Sequence, residues 1–263
     1  MDVAGEADFD AGTYGRSFAE VYDEWYPADA VTAGAVAAVA ALAAPGGRVL
    51  ELGVGTGRLA LPLASLGLQV TGVDAAEEML DVLAAKDPDG RVERVVGDVG
   101  APDGTPDGSS ASGRAFAPWP DGPFDVVLAA CNLLCNLPDE RRQSACVAGA
   151  AARLRRGGHL VVEAFVPAPL VPGPQLAASE VRADAVVLIA TEADPETGIV
   201  TGQHVELRDG APVRLRPWRI RVATPDEIDG WARAAGLELV DRRESWGEDG
   251  PASDGLVSTY RRP

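Results

Sequence analysis

The chain has very few of the residues on which metal sites and disulfide frameworks depend. Its 263 residues include three cysteines and two histidines. Cys131, Cys135 and Cys146 form no CxxC pair. Only His159 and His204 could join them as metal ligands, so we expect no zinc site and no disulfide framework. Buried, reduced thiols are the simpler expectation.

Positive charge is scarce as well. The sequence has 23 Lys and Arg against 40 Asp and Glu, a formal net charge of −17. A nucleic-acid backbone needs clustered cations, so we expect no nucleic-acid partner. The longest apolar stretch, residues 31–44, is too short and too rich in alanine to span a membrane, and the acidic N-terminus does not read as a signal peptide. We therefore expect a cytoplasmic protein without a membrane partner, and homodimer formation stays open.

What the chain does have is a regular alternation of apolar runs and helical segments. Runs such as Phe124–Ala129 and His159–Ala164 are typical of parallel strands that are covered on both faces. Strands are predicted at 48–52, 69–73, 91–96, 124–129, 159–164, 237–245 and 255–261. Helices are predicted at 58–66, 76–86, 139–155 and 225–235. This alternation predicts an α/β fold with a doubly wound, mostly parallel, seven-stranded sheet.

Two segments depart from this alternation. Residues 100–123 have low complexity and are predicted to form a mobile surface insertion without a function of its own. Three runs of period-two alternation, 181–190, 199–208 and 213–222, predict an antiparallel three-stranded flap. The predicted units are an N-terminal tail (1–13) with a helical lid up to residue 44, a core over 45–180, the flap over 181–222, and the rest of the core over 223–263.

Three alternating glycines, Gly53, Gly55 and Gly57, follow the first strand and precede a helix. Arg58 stands where a nicotinamide fingerprint needs a further small residue. With Glu51 two residues before the first glycine, the segment resembles motif I of the class I S-adenosylmethionine (SAM) dependent methyltransferases, which implies SAM as the cofactor. The alternative is a tight strand-to-helix corner that binds nothing.

Acidic residues follow the second and third predicted strands. Asp74 ends the second strand, where a carboxylate can accept hydrogen bonds from both hydroxyls of a ribose. The alternative is that it only caps the next helix. The resemblance implies that Asp98 receives the adenine amino group and that the backbone N–H of Val99 meets a ring nitrogen. An Asp-initiated turn is the alternative for Asp98.

The segment after the fourth strand, Cys131-Asn132-Leu-Leu-Cys135-Asn136, matches the family motif that lies beside the methyl group. It lacks the Asn/Asp-Pro-Pro-aromatic sequence of methyltransferases that act on adenine N6 or on glutamine, which speaks against nucleic-acid bases and protein glutamine as acceptors. For Asn132 and Asn136, helix capping or turn formation competes with a substrate role.

The segment Phe18–Tyr26 is similar to the N-terminal segment of small-molecule methyltransferases. The nucleotide-sugar amine N-methyltransferases of macrolide pathways and their glycine/sarcosine relatives are particularly similar. The resemblance implies that Tyr22 closes over the methionine part of the cofactor. The alternative is an aromatic stripe that packs a helix on the core, and we favour it for Trp25. The sugar-amine enzymes tend to have a His near the position of Asn136, and this chain has none there.

The candidate residues fall into three groups. For the chemical step we expect Tyr22, Asn136 and Glu163. For the cofactor we expect Tyr22, Glu51, Gly53, Gly55, Gly57, Asp74, Met79, Asp98, Val99 and Cys131. For the substrate we expect Arg219, Arg221 and Asn132, although the two arginines could also face solvent.

The predicted function is SAM-dependent methyl transfer to an amine or hydroxyl of a small molecule, in bacterial secondary metabolism. One alternative is a non-methylating member of the fold, a cyclase or eliminase that uses bound SAM for its charge. The other is a SAM-binding regulatory module without chemistry.

Overall fold

The structure is a computed structural model that describes residues 9–104, 112–165, 169–246 and 252–263. Its helices are α1 Thr13–Phe18, α2 Tyr22–Trp25, α3 Ala30–Leu42, α4 Ala60–Ser65, α5 Glu77–Lys86, α6 Glu140–Arg153 and α7 Pro225–Ala234. Its strands are β1 Arg48–Leu52, β2 Gln69–Asp74, β3 Val92–Val96, β4 Phe124–Ala129, β5 Leu154–Phe165, β6 Gly173–Val181, β7 Ala185–Asp194, β8 Ile199–Arg208, β9 Arg214–Arg221, β10 Glu238–Ser245 and β11 Ala252–Arg261.

The predicted doubly wound sheet is confirmed. Seven strands form it in the order β3–β2–β1–β4–β5–β11–β10. The strands from β3 to β5 run parallel, whereas β11 is antiparallel to both of its neighbours. The strand order reverses between β1 and β4, and in such sheets a ligand binds at the carboxyl ends of the strands beside that point.

Helices cover both faces of the sheet. Helices α3, α4 and α5 pack on one face around residues such as Val39, Leu63 and Leu83, whereas α6 and α7 pack on the other around Val147 and Ile228. All five of these side chains are at most 3% exposed. Burial on both faces explains why β4 reads as a continuous apolar run.

The flap has four antiparallel strands, in the order β6–β7–β8–β9, so the prediction of three was wrong. Its first predicted strand, 181–190, is divided by a turn in which the N–H of Arg182 donates to the carbonyl of Ala185 at 2.8 Å. That turn contains neither glycine nor proline. The additional strand β6 is an edge strand that is exposed along nearly its whole length, so it has no buried face and no alternation to reveal it.

The prediction for residues 100–123 was also wrong in part. Residues 105–111 lie outside the described part of the chain. Beyond them, Phe116 is 9% exposed and Trp119 is 2% exposed. The indole N–H of Trp119 donates to the carbonyl of Asp98 at 3.1 Å, and the guanidinium of Arg153 lies 5.2 Å from the Trp119 ring centre. The end of this segment is therefore part of the core.

Within the described residues, no helix is long and apolar enough to cross a membrane.

Replacement of Trp119 by alanine should destabilise the fold, because it leaves a cavity beneath the loop that carries Asp98. Removing a buried tryptophan side chain costs about 3–5 kcal/mol of unfolding free energy. The measurement is chemical denaturation, with Arg114→Ala, an exposed change in the same segment, as the matched control. If the two variants unfold at the same denaturant concentration, the segment does not pack as described.

Candidate active site

A cavity of about 630 Å³ lies at the carboxyl ends of β1 to β4 and is bordered by the N-terminal helices. Its lining includes these sequence-predicted residues: Tyr22, Gly53, Gly55, Asp74, Met79, Asp98, Val99, Cys131, Asn136 and Arg219. A second group of predicted residues does not line it: Glu51, Gly57, Asn132, Glu163 and Arg221.

The three glycines after β1 are needed for different reasons. All three have left-handed backbone, with φ of +64° at Gly53, +53° at Gly55 and +83° at Gly57. A Cβ on Gly53 would overlap Leu133, and a Cβ on Gly57 would overlap Leu83. At Gly55 the nearest atom is the Sδ of Met79, 3.9 Å away. Gly53 and Gly57 therefore allow protein packing, whereas Gly55 presents bare backbone to the cavity.

The carboxylate of Asp74 fixes the glycine loop to the start of the next helix. Its Oδ2 accepts from the N–H of Gly55, and its Oδ1 accepts from the N–H of Ala76, each at 2.9 Å. Burial raises the pKa of Asp74, and these two hydrogen bonds oppose that rise. The same carboxylate lines the cavity, and its remaining lone pairs can accept further hydrogen bonds.

Glu51 lies behind the glycine loop rather than in the cavity wall. Its side chain is buried, and its Oε2 has no hydrogen-bond partner among the described residues. Burial raises the pKa of Glu51 to about 8, an effect that Arg58 opposes and Asp74 strengthens. Near neutral pH this carboxyl is therefore mostly protonated.

Asp98 is buried at the end of the cavity next to β3. Its Oδ1 accepts from the N–H of Gly100 at 2.8 Å. Its Oδ2 forms an ion pair with the Nη2 of Arg142, a residue of α6 that also lines the cavity. The sequence analysis did not find Arg142, because it lies 44 residues from Asp98 along the chain.

The chain after β4 turns sharply beside the cavity. Cys131 and Asn132 have φ of +54° and +59°, and in the described part of the chain they are the only non-glycine residues with positive φ. The N–H of Cys131 donates to Glu163 Oε2 at 2.7 Å, and Asn132 Oδ1 accepts from the N–H of Phe165 at 2.6 Å. Such strain persists only where the surroundings enforce it, and it concentrates at functional sites.

These contacts change the interpretation of two predicted residues. The second oxygen of Glu163 accepts from the indole N–H of Trp246 at 2.9 Å, so both of its carboxylate oxygens are engaged in holding the structure. The amide oxygen of Asn132 is likewise bonded to backbone. The structure does not support a catalytic role for Glu163 or a substrate role for Asn132. Their side chains stabilise the turn that presents Cys131.

The thiol of Cys131 lies against Arg58, which the sequence analysis noted only for its effect on the glycine pattern. The Nη2 of Arg58 donates to Cys131 Sγ at 2.7 Å. Burial raises the pKa of Cys131 to about 11, and Arg58 opposes that rise. The thiol is therefore neutral at physiological pH and is a poor nucleophile.

The N-terminal helices form a lid over the cavity. Residues 9–11 and Thr13, expected to be part of a frayed tail, line it instead, together with Tyr14 and Tyr22. Gly15 packs so closely on α5 that a Cβ there would overlap Ala76. Burial raises the pKa of both tyrosines, so each hydroxyl stays protonated. The sequence analysis missed Tyr14, although its spacing from Phe18 and Tyr22 follows one helical face.

The lid is joined to the core and to the flap. On the core side, Asp23 accepts from the hydroxyl of Thr56 and from the ammonium of Lys86, the single lysine of the chain, each at 2.6 Å. On the flap side, Nη1 of Arg216 donates to the carbonyl of Ser17 at 2.6 Å. Lid, glycine loop and flap therefore form one connected wall.

Aromatic packing supports the junction between lid and flap. The ring centre of Trp25 lies 5.9 Å from that of Phe18 and 5.6 Å from that of His204. The indole N–H of Trp218 donates to His204 Nδ1 at 2.9 Å. Trp25 thus packs between the two parts, as favoured from the sequence.

Of the two flap arginines considered for substrate, only Arg219 lines the cavity. Arg221 donates to Gln143 Oε1 at 2.5 Å and to Glu227 Oε1 at 2.6 Å, which ties β9 to α6 and α7. The structure therefore does not support a substrate role for Arg221. No group of three or more His, Cys, Asp or Glu side chains in the described ranges is arranged to hold a metal ion.

The cavity suits a ligand that joins a purine nucleoside to a charged side chain. Two carboxylates, on Asp74 and Asp98, line it at the ends of adjacent strands, and bare backbone at Gly55 lies beside them. These features fit the hydroxyls, the amino group and the close approach of an adenosine. Sheet order and cavity together define a Rossmann-like α/β protein that binds a nucleoside-containing cofactor.

Comparison with known proteins identifies the family. A family model described as a methyltransferase domain matches residues 49–158. The CcbJ methyltransferase of Streptomyces caelestis is 36% identical, and the alignment covers 97% of this chain and 99% of that one, with a TM-score of 0.83. The chain belongs to the SAM-dependent methyltransferases, and it is related to members from bacterial secondary metabolism. SAM is its cofactor.

Two further relatives are more distant. The cypemycin N-terminal methyltransferase of a Streptomyces species is 32% identical over 160 residues, a match that spans 60% of this chain and 59% of the relative. SAM-bound CalS10, an amino pentose methyltransferase from Micromonospora echinaspora involved in calicheamicin biosynthesis, is 21% identical with a TM-score of 0.68. That alignment covers 92% of this chain and 97% of CalS10, and it supports the fold.

Replacement of Gly55 by alanine should weaken SAM binding with little loss of stability beyond backbone strain. The new methyl group meets no protein atom closer than 3.9 Å, but it occupies the surface that a ligand contacts. We expect a loss of affinity of about tenfold or more, with about 1 kcal/mol of strain from left-handed backbone. Calorimetric titration with SAM measures the affinity.

The matched control is Gly67→Ala. Gly67 has φ of +85° and open space around it, and it does not line the cavity. This variant should show the same strain and an unchanged affinity for SAM. An equal affinity for SAM in both variants would mean that the glycine loop only forms a tight turn between β1 and α4.

Replacement of Glu51 by glutamine should change how stability depends on pH. The pKa of Glu51 is about 8 in the folded protein against an ordinary value of 4.5, so between these values the folded state holds a proton that the unfolded state has lost. Stability therefore falls as pH rises through this window, by up to about 1.4 kcal/mol per unit. The glutamine variant should lose this slope.

Chemical denaturation at pH 5 and pH 7.5 measures the slope in each protein. Glu244→Gln, at an exposed position, is the control and should keep the wild-type slope. A Glu51→Gln variant with the same slope as wild type would show that the carboxyl is ionised in the folded protein.

Proposed function

We propose that this methyltransferase methylates an amine of a small metabolite, with a hydroxyl as the alternative acceptor. The observation that carries the proposal is that Tyr22 of the lid, Asn136 after β4 and Arg219 of the flap all line the cavity that Cys131 lines. A cavity covered in this way admits a small molecule, not a folded macromolecule. Two relatives support nitrogen as the acceptor, since one is named for N-terminal methylation and another for an amino pentose.

We propose the following cofactor contacts. Asp74 accepts hydrogen bonds from the ribose hydroxyls, Asp98 accepts one from the adenine amino group, and the N–H of Val99 donates to a ring nitrogen. Their support is that all three residues line the same cavity as the bare backbone of Gly55. Met79, 2% exposed, supplies apolar contact from α5.

The mechanism needs little from the protein beyond geometry. Bound SAM would supply a methyl group on a sulfonium. The thioether that this sulfonium becomes is a good leaving group. Tyr22 and Asn136 orient the acceptor so that its lone pair points at the methyl carbon, and the lid and flap exclude water. Arg219 stays a predicted substrate contact on the same wall.

The acceptor's proton leaves without a histidine base in this proposal. In the described part of the chain no histidine lines the cavity. His204 is engaged with Trp218, and the hydroxyls of Tyr14 and Tyr22 have raised pKa values that make them poor bases at neutral pH. The amine therefore enters uncharged: its lone pair takes the methyl group as the carbon–sulfur bond breaks, and the product ammonium releases its proton to solvent after it leaves the cavity. The rate should then follow the pKa of the amine itself.

The function is tested by incubating the protein with methyl-labelled SAM and a panel of small amines and alcohols. Labelled product from an amine supports the proposal. Conversion of the substrate into a rearranged product without label, while SAM is bound but not consumed, would favour a cyclase or eliminase. Tight SAM binding without any turnover would favour a regulatory module.

Replacement of Tyr22 by phenylalanine should lower kcat on the best acceptor by about tenfold, the equivalent of one hydrogen bond of about 1.4 kcal/mol. Stability should change little, because the ring and its packing remain. Tyr260→Phe is the control, since it removes a tyrosine hydroxyl that is bonded to Asp229 at 2.7 Å and does not line this cavity. Equal kcat values for the two variants would remove Tyr22 from the site.

A further inference from the structure

We propose that Arg142 determines the base specificity of the cofactor site by fixing the Asp98 carboxylate and by pairing its Nη2 donor with that carboxylate instead of with the base. The inference rests on the proposed contact between Asp98 and the adenine amino group. Arg142 acts through Asp98, so it is a positioning residue.

The geometry leaves the Asp98 carboxylate little freedom to rotate. Its Oδ1 accepts from the N–H of Gly100, and its Oδ2 is paired with Arg142. The Asp98 side chain is 4% exposed and the Arg142 side chain is 21% exposed, so solvent screens the pair only weakly. A carboxylate held at both oxygens presents its remaining lone pairs in fixed directions.

Arg142 is itself held in place. It lies in the first turn of α6, where its N–H donates to the side chain of Asp139 at 2.8 Å. Its guanidinium lies so close to Gly100 that a Cβ there would come within 2.7 Å of Nε and 2.9 Å of Nη2. The absence of a side chain at Gly100 gives this guanidinium room beside the loop after β3. Its Nε is buried and has no hydrogen-bond partner among the described residues.

The pair contains two opposite hydrogen-bonding preferences. A carboxylate only accepts and a guanidinium only donates. Adenine offers a donor at its 6-amino group, whereas hypoxanthine offers an acceptor at its 6-oxo group. While Nη2 of Arg142 is paired with Asp98, the carboxylate selects the 6-amino purine. Without Asp98, Nη2 would be a further donor at the same end of the cavity and would favour the 6-oxo purine.

Two ligands separate these cases: S-adenosyl-L-homocysteine and S-inosyl-L-homocysteine. They differ at position 6, amino against oxo, and at N1, which accepts in adenine and carries a proton in hypoxanthine. Calorimetry should show that the wild-type protein prefers the adenosyl ligand by about 100-fold or more, since a mismatched buried polar group is costly. Arg142→Met should reduce affinity for the adenosyl ligand by about tenfold or more. Arg142→Lys should lose less, because it retains the charge.

Arg141→Met is the matched control, an exposed arginine on the same helix that does not line the cavity. It should bind both ligands as wild type does. Thermal melts of every variant check that it is folded. If Arg142→Met is unfolded, Arg142→Lys and the Asp98 variants below still decide the question.

The decisive comparison uses Asp98→Ala and the double variant Asp98→Ala/Arg142→Met. The single variant should show a reduced preference for the adenosyl ligand, and the double variant should bind the inosyl ligand about tenfold more weakly than the single one. The proposal is overturned if Arg142→Met and Arg141→Met have the same affinity for each ligand. It is also overturned if the two Asp98 variants have the same ratio of adenosyl to inosyl affinity. If Asp98→Ala leaves adenosyl binding unchanged, the adenine contact itself fails, whereas the proposed methyl transfer is tested separately by the assay with labelled SAM.

Discussion

The carboxylate of Asp74 holds together the two backbone segments from which the cofactor cavity is built. Its hydrogen bonds to the N–H groups of Gly55 and Ala76 fix the glycine loop after β1 against the start of α5. The loop can take this path only because Gly53 and Gly57 leave room for Leu133 and Leu83. One half-buried acid therefore positions both the bare backbone at Gly55 and the start of α5.

The lid and flap turn this open sheet edge into a covered site. Asp23 bonds the lid to Thr56 in the glycine loop, and Arg216 bonds the flap to the lid while it pairs with the buried Glu206. A buried ion pair of this kind favours one specific arrangement more than it adds stability. The covered side of the cavity thus depends on three elements that are far apart in the chain and are joined by hydrogen bonds.

Local patterns could be predicted from the sequence, and contacts between distant segments could not. Gly55 and Asp74 follow buried strands at the family's spacing, so the cofactor loop was recognisable. Strand β6 has no alternation, because it has no buried face. The role of Glu163 depends on Cys131, which is 32 residues away, and the partner of Asp98 is 44 residues away. Spacing patterns in a sequence do not predict contacts at such separations. Trp119 looked like part of a polar insertion because its packing partners come from α6 and β3.

The central claim is that the cavity binds SAM with its methyl group facing the lid and the flap. A crystal structure of the full chain with S-adenosyl-L-homocysteine tests it most directly. The account predicts ribose hydroxyls within hydrogen-bonding distance of Asp74, the adenine amino group on Asp98, and the sulfur facing Tyr22 and Asn136. A ligand bound elsewhere, or a sulfur more than a side chain's length from both the lid and the flap, would contradict it.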